Sequence, residues 1–600
     1  MARYSEHDTA NIYLTADAWK TACILGGKSL LWPKESVWSE ENLKEFKKRF
    51  IDNPDESQRS FEEKFKLQLE PAGPSVTKLA CELVLLYFLF PSSVSGNRKR
   101  QLISEIASWK SIEIDGDGKA VLARLDAGIG GPGLAYNTRR PFEIGFLGEV
   151  GLHLISLPRS EREAILNDHS RLRTLLDDIE ADATRQSRDI LLHLLFPDRY
   201  ERIASRTHKR LIAETFQDII ASATAPDDLD DRLFEIRTKL EQFLPGKHLD
   251  FYWQPLTECW YVSGEDDDLS PLQGLSIKRQ VVLYGPPGTG KTFEARALAD
   301  RLIRQGLLRA WGPKKYFGDV DAINAAVKAR MRRVQFHPGY SYEDLVRGLR
   351  LNNGGATEYS DGILLRVIAD IQKAHPDLKD VPYVLILDEM NRADLSKVLG
   401  ECFSLLEDRD AVVQLGGQDE APREITIPPQ LHFVGTMNLI DQSLEQVDFA
   451  LRRRFLWFFR GFDRGQFIEV SRYRWDDLLK AKRIKKGWER YGQEFEVLAD
   501  RAEAINREIE RHPSLGPQYQ IGHTYFCDVV YFVEKDLAAR PGRHFVLYSP
   551  KGHGRDNTIG TLWKYSLKPL LEQYLSGVDA GEKQTFLSTV EGLLLQGPSA

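Results

Sequence analysis

Hydrophobic positions follow two patterns along this chain, and the change from one to the other divides it. Over residues 43–50 and 61–69 apolar side chains recur at helical spacing beside charged faces. Residues 76–90 are nearly all apolar, which predicts a helix in the middle of a helical core. Helical periodicity returns over 161–180 and again over 190–216. Further on, three short apolar runs, 281–284, 381–387 and 431–437, are separated by helix-like stretches. Runs of that length predict buried parallel strands joined by crossover helices, and so an α/β domain whose parallel sheet is flanked by helices. The predicted organisation is a mainly α-helical N-terminal region over 1–245, a linker over 246–274, an α/β domain over 275–460 and a helical domain over 461–600. Acidic, Pro-containing stretches at 223–231 and 264–271 mark the joins.

At 600 residues the chain is longer than one hydrophobic core supports. A formal net charge of −7 excludes a general attraction to nucleic acid and leaves only a local basic groove or a partner to make such a contact. Two basic runs are candidates, Asn97-Arg98-Lys99-Arg100 and Arg206-Thr207-His208-Lys209-Arg210. Neither is interleaved with aromatic residues, and the plainer reading of both is a solvated helix face. Gly128-Ile129-Gly130-Gly131-Pro132-Gly133 matches G-x-G-x-x-G, but no strand leads into it and Pro132 interrupts it, so it is read as a loop. The five cysteines, Cys23, Cys81, Cys259, Cys402 and Cys527, are far apart and show no metal-ligand spacing. They are expected to be buried thiols of a reducing compartment. The start, Met1-Ala2-Arg3-Tyr4, lacks the apolar core of a signal peptide, and the run 83–90 is too short to span a bilayer. A cytoplasmic chain with no membrane partner is expected.

The first of the three apolar runs breaks into Gly285-Pro286-Pro287-Gly288-Thr289-Gly290-Lys291-Thr292 and continues through Phe293 into helical spacing. Strand, glycine loop and helix in this order form a phosphate-binding loop. The glycines let backbone N–H groups curl round an anion, Lys291 meets the β- and γ-phosphates, and Thr292 offers its hydroxyl to Mg²⁺. The second run ends in Asp388-Glu389, as a strand delivering acids to the carboxyl edge of a sheet should. Asp388 is expected to hold Mg²⁺ through its water shell, and Glu389 to polarise the attacking water. The third run delivers Asn438, whose amide can bond the same water or the γ-phosphate. Shortly after it, Arg452-Arg453-Arg454 stand together between apolar residues. Clustered guanidinium groups of this kind suit a phosphate supplied by a neighbouring subunit.

Together these residues resemble the McrB branch of AAA+ proteins, the nucleotide-driven motors of McrBC-type modification-dependent restriction systems. The likeness is carried by the phosphate loop, by Val334-Gln335-Phe336-His337-Pro338-Gly339-Tyr340-Ser341-Tyr342-Glu343-Asp344-Leu345-Val346-Arg347-Gly348, and by Asp388-Glu389-Met390-Asn391-Arg392-Ala393-Asp394-Leu395-Ser396-Lys397. Met437-Asn438-Leu439-Ile440-Asp441-Gln442-Ser443, Leu451-Arg452-Arg453-Arg454-Phe455 and the later Gln520-Ile521-Gly522-His523-Thr524-Tyr525-Phe526 add to it. It covers about 275–575 and leaves the N-terminal region outside. The resemblance implies an α/β AAA+ P-loop NTPase core with a helical C-terminal lid, hydrolysing GTP or ATP with Mg²⁺. It further implies that Asn438 and Asp441 prepare the water, that Arg453 and Arg454 reach a neighbour's nucleotide, and that the chain forms a ring, taken as a hexamer. The implied partners are a separate McrC-like nuclease and DNA, modified or not, met directly or through that nuclease, in a system of antiviral defence. Gln442 departs from the family, which has Arg after the signature Asp. The rival readings are a MoxR-like ATPase remodelling proteins, and a nucleotide-switched scaffold.

Overall fold

Residues 76–88 of the apolar run form most of helix Pro74–Phe88, and its burial explains how the N-terminal part of the chain is built. The computed structural model describes every residue except 1, 5–8, 56, 58, 93, 132–135, 137–138, 180–184, 221–225, 247, 262–268, 352–356, 417–422, 441–448, 550–552 and 596–600. It divides into two units, Met1–Thr257 and Glu258–Ala600. In the first, Pro74 presets the backbone of the opening turn, and every side chain from Leu79 to Phe88 is buried. One of these is a carboxylate, Glu82. Its Oε1 accepts from Ser29 Oγ at 2.6 Å and from the Leu31 N–H at 2.7 Å, and its Oε2 accepts from Trp38 Nε1 at 3.1 Å. A charge at the centre of a helical core is tolerated when its oxygens are bonded in this way.

The basic runs correct one expectation for this region, while the periodic stretch is helical. The periodic stretch 161–180 is two helices, Arg159–Asn167 and His169–Asp178, because the Asp168 side chain accepts the N–H groups of Ser170 (2.9 Å) and Arg171 (3.2 Å) and so starts a new helix. The basic runs are not simply solvated faces. Lys209 is buried with its Nζ 2.9 Å from Asp189 and 2.5 Å from Asp230, and Arg188 joins the same two acids at 2.6 and 2.9 Å. Lys99 is buried and donates to the Ala127 carbonyl at 3.0 Å, while Arg98 pairs with Glu62 and Arg100 with Asp126. Charge that periodicity assigned to solvent is spent inside the fold.

The second unit holds the α/β architecture. Its strands are β1 (Gln280–Gly285), β2 (Met331–Gln335), β3 (Arg347–Leu351), β4 (Thr357–Asp361), β5 (Tyr383–Asp388), β6 (Val413–Gln414), β7 (Glu424–Ile425), β8 (Leu431–Asn438) and β9 (Leu456–Phe459). Five of them make one sheet in the order β2-β5-β8-β1-β9, with every neighbouring pair parallel. All six residues of β5 are buried, as a central strand covered on both faces requires. The short hairpins β3–β4 and β6–β7 and the edge strand β9 were not anticipated from the sequence. Register aligns the chemistry: Gly285 lies opposite Asn438, and Gln335 opposite Asp388, so the carboxyl ends of four strands share one edge.

Beyond the sheet a helical core is built around Trp475, Phe467 and Phe495, on helices Arg464–Lys480 and Gly492–Arg511. The Trp475 ring lies 5.3 Å from Tyr491 and 5.8 Å from Phe495. Glu494 ties a distant segment to this core by accepting the N–H groups of Val546 (2.9 Å), Leu547 (2.6 Å) and Tyr548 (3.0 Å). All five cysteines are buried thiols. Among the described residues no helix is long and apolar enough to cross a membrane.

Candidate nucleotide site

The loop after β1 takes a path that needs its glycines. Gly285, Gly288 and Gly290 have φ of +154°, +75° and +74°. A Cβ at Gly288 would lie 2.7 Å from Thr524 Oγ1 and from the Tyr525 ring, so positive φ and close approach coincide there. Thr289 Oγ1 donates to the Pro286 carbonyl at 3.0 Å and tightens the turn. Lys291 opens helix Lys291–Tyr316 but points back: its Nζ donates to the carbonyls of Pro286 (2.5 Å) and Gly285 (3.2 Å) and lies 3.2 Å from Thr289 Oγ1. An ammonium that donates to loop carbonyls is a cation that a phosphate, a stronger acceptor, would draw out. Pro287 sits within the same loop, whereas the Phe293 ring is exposed.

Asp388, at the end of β5, is the hub. Its Oδ1 accepts from Thr292 Oγ1 at 2.9 Å and from Thr436 Oγ1 at 2.5 Å. Its Oδ2 accepts from Arg333 Nε at 3.0 Å and from Arg333 Nη2. Burial opposes the charge, but the hydrogen bonds of Thr436, Arg333 and Thr292 outweigh it and hold the carboxyl below its ordinary value. A hydroxyl and an ionised carboxylate in contact are the donor set of a hard divalent cation that takes its remaining ligands from water and phosphate, so Thr292 and Asp388 fit Mg²⁺.

Glu389 follows in the left-handed region at φ +54°, a conformation that costs a non-glycine residue energy and that recurs where geometry serves chemistry. Its N–H donates to Thr436 Oγ1 at 3.1 Å, and its carboxylate pairs with Arg392 at 2.9 Å and accepts from Gln335 Nε2 at 3.4 Å. Asn438 ends β8 beside the loop: the Leu439 N–H donates to the Gly285 carbonyl at 3.2 Å, and Asn391 Nδ2 donates to the Asn438 carbonyl at 2.8 Å. Asp441 and Gln442 lie outside the described residues. Of the three arginines, Arg453 has a side chain 64% exposed and pairs with Glu407 at 2.9 Å. Arg454 is buried over the Phe403 ring and donates to the Ala450 carbonyl at 2.8 Å, with Glu407 at 3.2 Å. Both arginines therefore have an acid within their own subunit, and Arg453 is the more accessible.

Three contributions were missed in the sequence. The lid bonds the loop directly, with the Thr524 N–H and Oγ1 donating to the Gly288 carbonyl at 3.0 and 2.9 Å. His523 is buried beside the loop, its Nε2 3.3 Å from where a Cβ on Gly290 would lie. Burial pushes its imidazole down to about 4, and the nearby Lys291 charge adds to the effect. Arg460, just past β9, bonds Glu294 through Nε and Nη2 at 2.9 Å and so fixes the first turn of the helix after the loop. The sequence of the lid segment does not show which of its atoms reach the loop, and Arg333 and Arg460 belong to no motif.

A parallel sheet with a glycine loop after one strand, paired acids after another and a helical lid bonded to that loop defines an AAA+ nucleoside triphosphatase. Comparison with known proteins agrees. Residues 320–455 match the family described as AAA domain (dynein-related subfamily), and residues 497–580 match McrB, alpha-helical lid domain. The chain is 35% identical over 263 residues to the Type IV methyl-directed restriction enzyme EcoKMcrB subunit of Escherichia coli, covering 43% of this chain and 49% of that protein. It is 25% identical over 233 residues to the Type II restriction enzyme BsuMI component YdiS of Bacillus subtilis, covering 33% of this chain and 60% of that one. It thus spans 49% and 60% of these relatives. Over its core and lid the chain is similar to AAA+ NTPases of the McrB type.

Proposed function

We propose that this chain is the motor subunit of an McrBC-like DNA restriction system, hydrolysing GTP or ATP as an oligomeric ring, taken as a hexamer, and acting with a separate McrC-like nuclease. The observation that carries the nucleotide chemistry is the meeting of Thr292, Asp388 and Thr436 at the edge where Lys291, Glu389 and Asn438 also end. The restriction role rests on the likeness of core and lid to restriction components.

In this reading Lys291 leaves its loop carbonyls for the β- and γ-phosphates, and the loop N–H groups cradle them. Mg²⁺, when bound against Thr292 and Asp388, supplies neutralisation of phosphate charge. Glu389 takes the proton of the attacking water, and Asn438 with Asp441 orients it. Arg453 reaches the nucleotide of the next subunit once its local pair with Glu407 is given up, with Arg454 behind it. The N-terminal region 1–245 would recognise the target or the partner, with 246–274 as linker, 275–460 as motor and 461–600 as lid. Steady-state hydrolysis measured with and without duplex DNA, methylated and unmethylated, and with the co-purified nuclease tests the reading. DNA or nuclease raising the rate is the expected result. Turnover raised by protein substrates and indifferent to both would contradict it and favour a remodelling ATPase.

A further inference from the structure

Arg333 is part of no motif, yet among the described residues it alone donates hydrogen bonds to Oδ2 of Asp388. The reason it reaches is register. On β2, Arg333 pairs with Ile386 of β5, and Ile386 shares a face with Asp388 two residues on, so the guanidinium lies diagonally across the sheet from that carboxylate. Gln335, on the same face of β2, lies opposite Asp388 and donates to Glu389, just past the end of β5, at 3.4 Å. The two oxygens of Asp388 are thereby divided: Oδ1 faces Thr292, the hydroxyl placed for the metal, and Oδ2 is held by Arg333.

We propose that Arg333 is a positioning residue that holds Asp388 with Oδ1 toward the metal position and supplies the neutralising charge there when no metal is bound. The proposal rests on the nucleotide site described above. A buried carboxylate beside a triphosphate repels it, and either a divalent cation or a permanent guanidinium can offset that repulsion. With Arg333 in place the site accepts a metal-free triphosphate, and metal and nucleotide binding are only moderately coupled. Without it, entry of the triphosphate depends strongly on the metal. The Arg333 side chain is 34% exposed on an edge strand, so its replacement leaves the core intact.

Binding of fluorescent, non-hydrolysable GTP and ATP analogues, measured in excess Mg²⁺ and in EDTA, tests this on wild type, Arg333→Met and Arg333→Lys, with thermal unfolding as the check on folding. Arg333→Gln serves as the neutral variant if Arg333→Met does not fold. The expected result is a loss of about tenfold or more for Arg333→Met in EDTA and of less than about threefold in Mg²⁺, with Arg333→Lys near wild type in both. Equal losses in the two conditions, no loss in either, or Arg333→Lys as weak as Arg333→Met in EDTA would overturn the proposal. Lys291→Ala, measured alongside, separates the two levels: binding lost in both conditions supports the underlying site, and binding retained overturns that site and this proposal together.

Discussion

Lys291 donates to loop carbonyls and Glu389 pairs with Arg392, and in the proposed mechanism the two should fail differently. Lys291→Ala removes a charged hydrogen bond to phosphate worth about 2 kcal/mol, and nucleotide affinity should fall roughly 30-fold, as read by fluorescence titration. Glu389→Gln keeps the shape and every phosphate contact, so affinity should hold while turnover falls about 100-fold or more. Turnover at the wild-type rate would remove Glu389 from the chemistry. At this scale the sequence was informative wherever residues act close together in the chain, as from Gly285 to Thr292 or at Asp388 and Glu389. Arg333 and His523 reach the site only through strand register and lid docking, which leave no local trace.

The Gly288 carbonyl bonds the loop to the lid, accepting from both the N–H and the hydroxyl of Thr524. Thr524→Val keeps the N–H bond and removes the hydroxyl one, a loss of about 1 kcal/mol, so bound nucleotide should leave roughly fivefold faster in stopped-flow displacement. Gly288→Ala should be worse, since a methyl at φ +75° also meets Thr524 and Tyr525 at 2.7 Å. Release from Gly288→Ala as slow as from wild type would mean that the lid does not pack on the loop. Elements with a strong period were legible: β1, β5 and β8 are continuous apolar runs, and the helix Pro74–Phe88 announces itself. The four residues of β9 and the two-residue strands β6 and β7 are too short for periodicity to mark, and they exist because neighbouring strands supply hydrogen bonds.

For the molecule as a whole, burial holds His193 in the N-terminal unit and His432 and His523 in the C-terminal unit neutral, each pushed down to about 4 from an ordinary 6.5. The folded value lies below the unfolded one, so the unfolded chain takes up the proton first. Their contribution is full above pH 6.5 and is lost as pH falls from there toward 4, at up to about 1.4 kcal/mol per pH unit for each. Urea midpoints should therefore drop between pH 7 and pH 5, and less steeply for His193→Gln in the N-terminal transition. A flat profile would contradict the burial of these rings as neutral groups.

In the proposed ring, one subunit's loop and the next subunit's Arg453 complete each nucleotide site together. Mixing Arg453→Ala with Lys291→Ala subunits tests it most directly, because each variant alone lacks one half of every interface and a mixture restores some interfaces whole. In an equal, random mixture roughly a quarter of the interfaces pair an intact loop with an intact arginine, and hydrolysis should recover accordingly from two preparations that are each nearly inactive. A mixture no more active than the mean of its two components, under conditions where the subunits are shown to exchange, would contradict it.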